Sequence, residues 1–314
     1  SVNWNSNYNP QYLIEQLESI RKTDSKGNVH FSGWGFREFS AYLYDFLDLP
    51  EEIPEREGRN IISQSIMKAG KKGELSSDSI IREIKNNISS YYQRISKVYF
   101  LTTSVSIDKY HPPKPIQLQG RKIIFERNLP KLYKKNRKPI LDDATRVIYN
   151  DPPKNYLHVR IRIEARSIFE AVEKGLETFD EIRGIWNLCL NKAQRFRMSI
   201  GSRKPVNKIL LGPIHTLHEP YGELATEIFW FEPNYRAPIR PFRISDKREN
   251  IDEYYKFVQN RLRTIPYEED IQSSIIRYVR ALDDRDWHAS YLKLWSVLEI
   301  LTSTNPGDSY NVTI

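Results

Sequence analysis

Apolar residues recur along this chain with two periods, near 3.6 and near 2, and the switches between them mark its elements. Leu13, Ile14, Leu17 and Ile20 give the first helical face, opened by Asn9 as cap and Pro10 at the first helical position. Lys22 to Gly35 reads as loop. Phe36 to Leu49 reads as a helix whose Phe36, Phe39, Tyr42, Tyr44 and Phe46 are expected in a core. The stretch LPEEIPEREG is a spacer, and Asn60 to Ala69 is a short helix closed by Gly70 and Gly73. Ile80, Ile84, Ile88, Tyr91 and Ile95 line a longer helix over 79–95, capped by Asp78 or Ser79.

The period then falls to two. Residues 98–107 alternate as a strand that HPPKP at 111–115 stops, and Lys122 to Glu126 is strand-like as well. Tyr156 to Glu164 alternates strictly, which puts His158, Arg160 and Arg162 on the wet face of a half-buried strand. Ser167 and Glu170 form a capping box for a helix reaching about Ala193, with Phe179, Ile182, Trp186 and Cys189 on its buried side. Lys208 to Ile214 and Ile228 to Phe231 are expected as strands. Pro213 and Pro220 flank His215 and His218 and place them in a loop between those strands. Two histidines at that spacing can share a metal on a helix, but no third ligand can be named, so no metal is assigned. Pro233, Pro238 and Pro241 then form a linker, which divides the chain into 1–244 and 245–314.

After the linker the helical period returns. Asn250 to Arg263 carries Ile251, Tyr254, Tyr255, Val258 and Leu262 on one face. Tyr267 to Ser303 reads as two helices around the acidic break Asp283-Asp284-Arg285-Asp286. Ile271, Ile275, Val279 and Leu282 give the first an apolar face, and Glu268, Glu269 and Asp270 sit at its positive end. The second carries Trp287, Tyr291, Leu294, Trp295, Leu298 and Leu301, with Leu292 and Ile300 on the opposite side, so it needs cover on more than one flank.

The run RYVRALDDRDWHASYLKLWSVLEILTS resembles the first two core helices of ApeA-like HEPN domains. The matching positions are Arg277 to Leu282 and Leu292 to Leu301, with Trp295, Leu298 and Glu299 carrying the aliphatic-Trp-x-x-Leu-Glu step. HEPN domains are helical bundles, and many are metal-independent ribonucleases. The expected chain is therefore α+β: the periodicities give a mixed helix/strand amino-terminal region, and the resemblance implies that the first helices of an all-α HEPN-like bundle follow it. It also implies RNA cleavage with the ribose 2′-hydroxyl as nucleophile, an Arg steadying phosphate charge and a His four to six residues later moving protons. In many such proteins the site forms across a dimer. None of His30, His111, His158, His215, His218 and His288 follows an Arg at that spacing, so the pair either is expected beyond residue 314, as the ribonuclease reading requires, or is absent. Within the chain Arg280 and Glu299 are the accessory candidates. Glu299 would orient the catalytic Arg or form a salt bridge to a neighbouring helix, Arg280 being one partner.

Composition narrows the remaining chemistry. At 314 residues there is room for two domains with cores, and 39% hydrophobic residues exclude a disordered chain. No run of eighteen apolar residues spans a membrane, and the amino end lacks the regions of a signal peptide, so a cytoplasmic protein is expected. The two sequons, Asn87-Ile88-Ser89 and Asn311-Val312-Thr313, are accordingly read as chance. A single cysteine, Cys189, excludes an internal disulfide and a cysteine-rich zinc site, and it is expected as a small buried residue. No cofactor is expected. Net charge is +8, yet Ser245 to Ile314 holds nine Lys/Arg against twelve Asp/Glu, so a polyanion should meet the first part.

The most basic window is GRKIIFERNLPKLYKKNRKP, with eight Lys/Arg in twenty residues and one acid, Glu126. Its second half, from Pro130, is expected as an exposed loop. There Lys131, Lys134, Lys135, Arg137 and Lys138 would neutralise phosphates and Tyr133 would stack on a base; a plain solvated loop is the competing reading. The expected function is an RNA-cleaving effector of a bacterial anti-phage defence or toxin system, with RNA and a second copy of the chain as partners. The alternative is a non-catalytic HEPN-like sensor or adaptor that dimerises or binds nucleotide or nucleic acid. A third reading is general nucleic-acid binding through residues 121–138. A trigger or antitoxin leaves no mark in the sequence.

Overall fold

A computed structural model describes residues 2–5, 8–25, 28–31, 35–50, 52–73, 75–110, 112–148, 153, 155–192, 207–232, 235, 240–284 and 286–302. Expectations placed on His111, Ala193, Pro233, Pro238, Arg285, Ser303 and residues 311–313 lie outside them, as does the side chain of Trp287. The chain mixes helices and strands and divides into two compact units, residues 1–97 with 165–173 and residues 98–164 with 174–314. Residues 244 and 245 both fall in the second unit.

The first unit begins with β1 (Asn3–Trp4), α1 (Gln11–Ile20), β2 (Arg21–Thr23), β3 (Val29–Phe31), α2 (Gly35–Asp45) and β4 (Leu47–Asp48). It continues with α3 (Glu55–Lys71) and α4 (Ser77–Gln93). Asn9 caps α1 as expected, its side-chain oxygen accepting from the Gln11 N–H at 3.0 Å. The expected loop over 22–35 contains a short hairpin, β2 against β3. The expected spacer is shorter too: α3 starts at Glu55, because Pro54 ends the extended entry and Glu55 and Glu57 suit a helix start. Ser76, rather than Asp78 or Ser79, caps α4, with reciprocal bonds between Ser76 and Ser79. Leu17, Leu43, Ile62, Ile66, Ile80 and Ile84 are buried where these helices meet, and Phe36, Phe39, Tyr44 and Phe46 pack against them. Tyr42 is exposed instead. Asn87, the first sequon asparagine, is buried in α4; its amide donates to the Ser65 hydroxyl at 2.8 Å and accepts from Lys68 at 2.6 Å.

The second unit is built on β5 (Lys97–Asp108), β6 (Ile116–Leu118), β7 (Arg121–Glu126), α5 (Lys131–Ile148), β8 (Tyr156–Ala165) and α6 (Ile168–Asn191). Then come β9 (Ile214–His218), β10 (Leu224–Phe231), a 3-10 turn (Ile244–Lys247), α7 (Arg248–Leu262), α8 (Glu268–Asp283) and α9 (Trp287–Thr302). The first turn of α6 belongs to the first unit. Six strands form one sheet in the order β10-β9-β5-β8-β7-β6. The pairs β10–β9, β9–β5, β8–β7 and β7–β6 are antiparallel. Every residue of β5 from Leu101 to Ile107 is buried, as a central strand covered on both faces requires.

Helix α6 covers one face. A side chain at Gly175 would come within 2.7 Å of the ends of both Leu101 and Ile163, so glycine lets helix and strand approach closely without displacing them. Phe125 meets Phe179 and Trp186 there. Helix α8 closes on α6 at Gly184, where an added Cβ would lie 2.5 Å from Ile275. Val279 and Leu282 on α8 are buried as the periodicity predicts. The strands expected at 208–214 and 228–231 shift to 214–218 and 224–231, because the glycine at 222 takes φ +102 and turns β9 directly into β10. Cys189 is half-buried rather than buried, its thiol 3.8 Å from the Asn250 carbonyl oxygen. No helix among the described residues is long and apolar enough to cross a membrane.

Candidate functional site

The basic window from Pro130 is a helix, not the expected loop. Tyr133, Arg137, Ile140 and Ala144 recur at four, three and four residues and are all buried, so the segment has an inward face despite its charge. Pro139 lies on the exposed side of α5, and so does Lys135, whose carbonyl loses the helical donor that proline lacks and can be solvated. This divides the six candidate residues. Lys131, Lys134, Lys135 and Lys138 share the exposed face, and Tyr133 and Arg137 point into the protein. The Tyr133 hydroxyl donates to the Pro220 carbonyl at 2.9 Å, and its ring stacks within the fold, so no base can reach it. The lysines occupy the first two turns of a helix with no acid in its first turn, where the unpaired backbone N–H groups add positive potential.

Beneath α5 the strand alternation places Phe100 and Thr102 of β5, His158 and Arg160 of β8, and Thr216 and His218 of β9 on one face. Arg160 does not face water as expected. Its guanidinium grips Glu126 with bonds of 2.7 and 2.6 Å and lies 4.6 Å from the centre of the Tyr133 ring. His215 and His218 lie on β9, and their odd spacing sends them to opposite faces of the sheet, so they cannot share a metal. His218 donates from Nδ1 to the Gly222 carbonyl at 3.1 Å and accepts from the Thr216 hydroxyl at 2.9 Å. Burial holds its pKa down at about 4 and keeps it neutral. Among the described residues no cluster of three His, Cys, Asp or Glu could hold a metal ion.

The other face carries an ion network that joins α6, α8 and the end of β10. Arg280 donates to both oxygens of Glu232 at 2.7 and 2.8 Å and to Asp180. Asp180 also accepts two bonds from Arg183, at 3.0 and 2.6 Å, and Arg183 reaches Asp283 at 3.0 Å. Glu232 accepts from His215 Nε2 at 3.1 Å, and His215 Nδ1 then accepts from the Thr103 hydroxyl at 2.7 Å. Burial works against the charge on Glu232, but the His215 hydrogen bond and Arg280 outweigh it and hold the carboxyl well below the usual range. Burial likewise opposes the charge of Arg280, and Asp180 and Glu232 overcome it. Burial lowers the pKa of His215. A hydroxyl–imidazole–carboxylate row of this kind could move a proton, yet it is buried and both His215 ring nitrogens are already bonded within it, which leaves no ring nitrogen free for a substrate.

The expected salt bridge from Glu299 to Arg280 is not formed. Arg280 is committed to Asp180 and Glu232, and Glu299 accepts from the Trp295 indole N–H at 2.9 Å, one turn back on its own helix. Helix α9 packs against α8, buries Ser290 and Val297, and leaves Tyr291 (63%), Leu292 (65%) and Leu298 (54%) exposed, with Trp295 and Leu301 exposed as well. Sequence reading missed Asp180, Arg183, Glu232, Asp283 and His215 as one unit. They are spread over more than a hundred residues, and only the sheet and the α6–α8 contact bring them together. The buried Arg137 was counted with its exposed neighbours, although its spacing from Tyr133 and Ile140 was a signal of inward orientation. Comparison of the chain with protein-family models, curated proteins and solved structures finds no match.

Proposed function

We propose that this chain binds RNA through the exposed face of α5, acting as a sensor or adaptor. The observation that supports it is the row Lys131, Lys134, Lys135 and Lys138, spaced i, i+3, i+4 and i+7 on the positive end of one helix, with no ion pair to any of them among the described residues. A row of cations on a rigid helix contacts successive phosphates without reading bases, so the binding is sequence-tolerant and steeply dependent on salt. Titration of a single-stranded RNA at several salt concentrations tests it. Lys131→Glu, Lys134→Glu, Lys135→Glu and Lys138→Glu together should lower the slope of log affinity against log salt by about 3, at roughly 0.7 per phosphate contact. An unchanged slope would remove α5 as the binding surface.

The described residues favour binding over cleavage. Arg280 is enclosed in ion pairs and Glu299 is bonded to Trp295, so neither is aimed at a scissile phosphate. The ribonuclease activity implied by the HEPN resemblance is a proposal that requires an Arg-x4-6-His pair, and a HEPN-like bundle starting with α8 and α9 belongs to the same proposal. A second reading, that the helical end joins two copies of the chain, is favoured by the apolar exposed side of α9. A helix that is hydrophobic on all sides is ordinarily buried.

A further inference from the structure

Arg137 is 4% exposed and carries a charge with no carboxylate partner among the described residues. Among the described residues, Arg137 bonds from Nη2 to the Ile214 carbonyl at 2.6 Å, and its Nε has no acceptor. Two further groups that are buried and unsatisfied face the same layer. Among the described residues, Thr102 has no partner for its hydroxyl, and His158 has none for Nδ1. The three lie on elements that meet, and the Arg137 charge bears directly on His158. Thr102 is two residues from Phe100 on β5, His158 two from Arg160 on β8, and Arg137 one turn from Tyr133 on α5. The Arg160 guanidinium lies over the rings of both Phe100 and Tyr133, so these three elements meet at one place. Glu126, opposite His158 in the ladder, has both carboxylate oxygens on Arg160 and cannot serve Arg137.

Burying a guanidinium without a counter-charge is among the costlier things a fold can do, and natural interiors pair such charges. A water molecule would satisfy Thr102 and His158 but leave the charge uncompensated. The geometry points to a phosphate site between α5 and the sheet, in which a phosphate dianion takes bonds from Arg137 and the Thr102 hydroxyl and abuts His158. The surroundings call for a dianion rather than a single carboxylate. Burial first, then Arg137, Lys109 and Lys134, hold the His158 pKa down at about 4, so three cations already bear on that imidazole. Lys134 stands on the exposed face of α5, and its charge bears on His158. The site does not rest on the lysine row holding RNA. An internal phosphodiester carries a single charge and two bulky substituents, so the ligand is free phosphate or a terminal phosphate monoester.

Inorganic phosphate is the probe, with chloride at matched ionic strength as the reference, measured by calorimetric titration and by thermal melting of the full chain. Wild type should bind phosphate and melt higher in its presence. Arg137→Met should weaken that binding roughly tenfold to hundredfold and abolish the rise, because charged hydrogen bonds are lost. Thr102→Val, which keeps the shape of the side chain, should weaken it roughly two- to tenfold and serves if the arginine variant does not fold. Competition by a short 5′-phosphorylated oligoribonucleotide beyond its 5′-hydroxyl counterpart would assign the terminal monoester as the source, and equal competition would assign free phosphate. No phosphate binding by wild type, or equal binding by Arg137→Met or Thr102→Val, overturns the proposal.

Discussion

Arg280 was singled out as an accessory to RNA cleavage, and its surroundings predict a different phenotype when it is removed. Arg280→Met keeps the length of the stem and deletes the charge. Asp180, 2% exposed at its side chain, would retain only Arg183, and Glu232 would retain only His215. Removing one partner from a fully buried ion pair costs about 3–5 kcal/mol, mostly the penalty of the charge left behind. Here the side chains of Arg280 and Glu232 are 31% and 22% exposed, and solvent screens part of that loss. Asp180 also keeps one cation. A cost of about 2–3 kcal/mol follows, which for a unit of roughly 200 residues lowers Tm by about 4–12 °C. Scanning calorimetry and urea unfolding at neutral pH give the value. Glu232→Gln added to Arg280→Met should recover part of the loss, because the orphaned carboxylate is then neutral, and the coupling between the two changes should reach about 1–2 kcal/mol. A Tm for Arg280→Met within a degree of wild type, or strictly additive changes in the double variant, would refute the network as a stabilising unit.

Two other outcomes follow from the same unit. Burial lowers the pKa of both His158 and His218 from the ordinary 6.5 to about 4, so the unfolded chain binds more protons than the folded one in that interval. Stability is then fully present above pH 6.5 and falls as the pH drops toward 4; at pH 5 urea unfolding in phosphate-free buffer should show a loss of about 1–2 kcal/mol per histidine, which His218→Gln should reduce, and a flat profile would contradict the buried neutral state. The exposed side of α9 predicts concentration-dependent dimerisation in sedimentation velocity, removed by Tyr291→Glu with Leu298→Glu while Tm changes little; a wild-type chain that stays monomeric at its highest soluble concentration would dispose of that interface.

What the sequence revealed and what it hid separate along a physical line. Elements whose apolar spacing decides their packing were legible: α4 from its isoleucine row, β8 from strict alternation, and the α8–α9 pair from its broken period. Two errors arose where local chemistry outweighed the period. Prolines 213 and 220 argued for a loop around His215 and His218, but both lie outside β9, where they end the strand without interrupting it. Lysines and Pro130 argued for a loop over α5, although lysine is a good helix former and a proline just ahead of the first helical residue costs nothing. The expected grouping of Tyr133 and Arg137 with the exposed lysines is corrected for the same reason. Five cations in eight residues were counted as one surface, whereas a helix turns each of them to a different bearing. Its rotation sends Lys131, Lys134, Lys135 and Lys138 to solvent and Arg137 to the sheet, so one basic run becomes an exposed row of four cations and one buried cation.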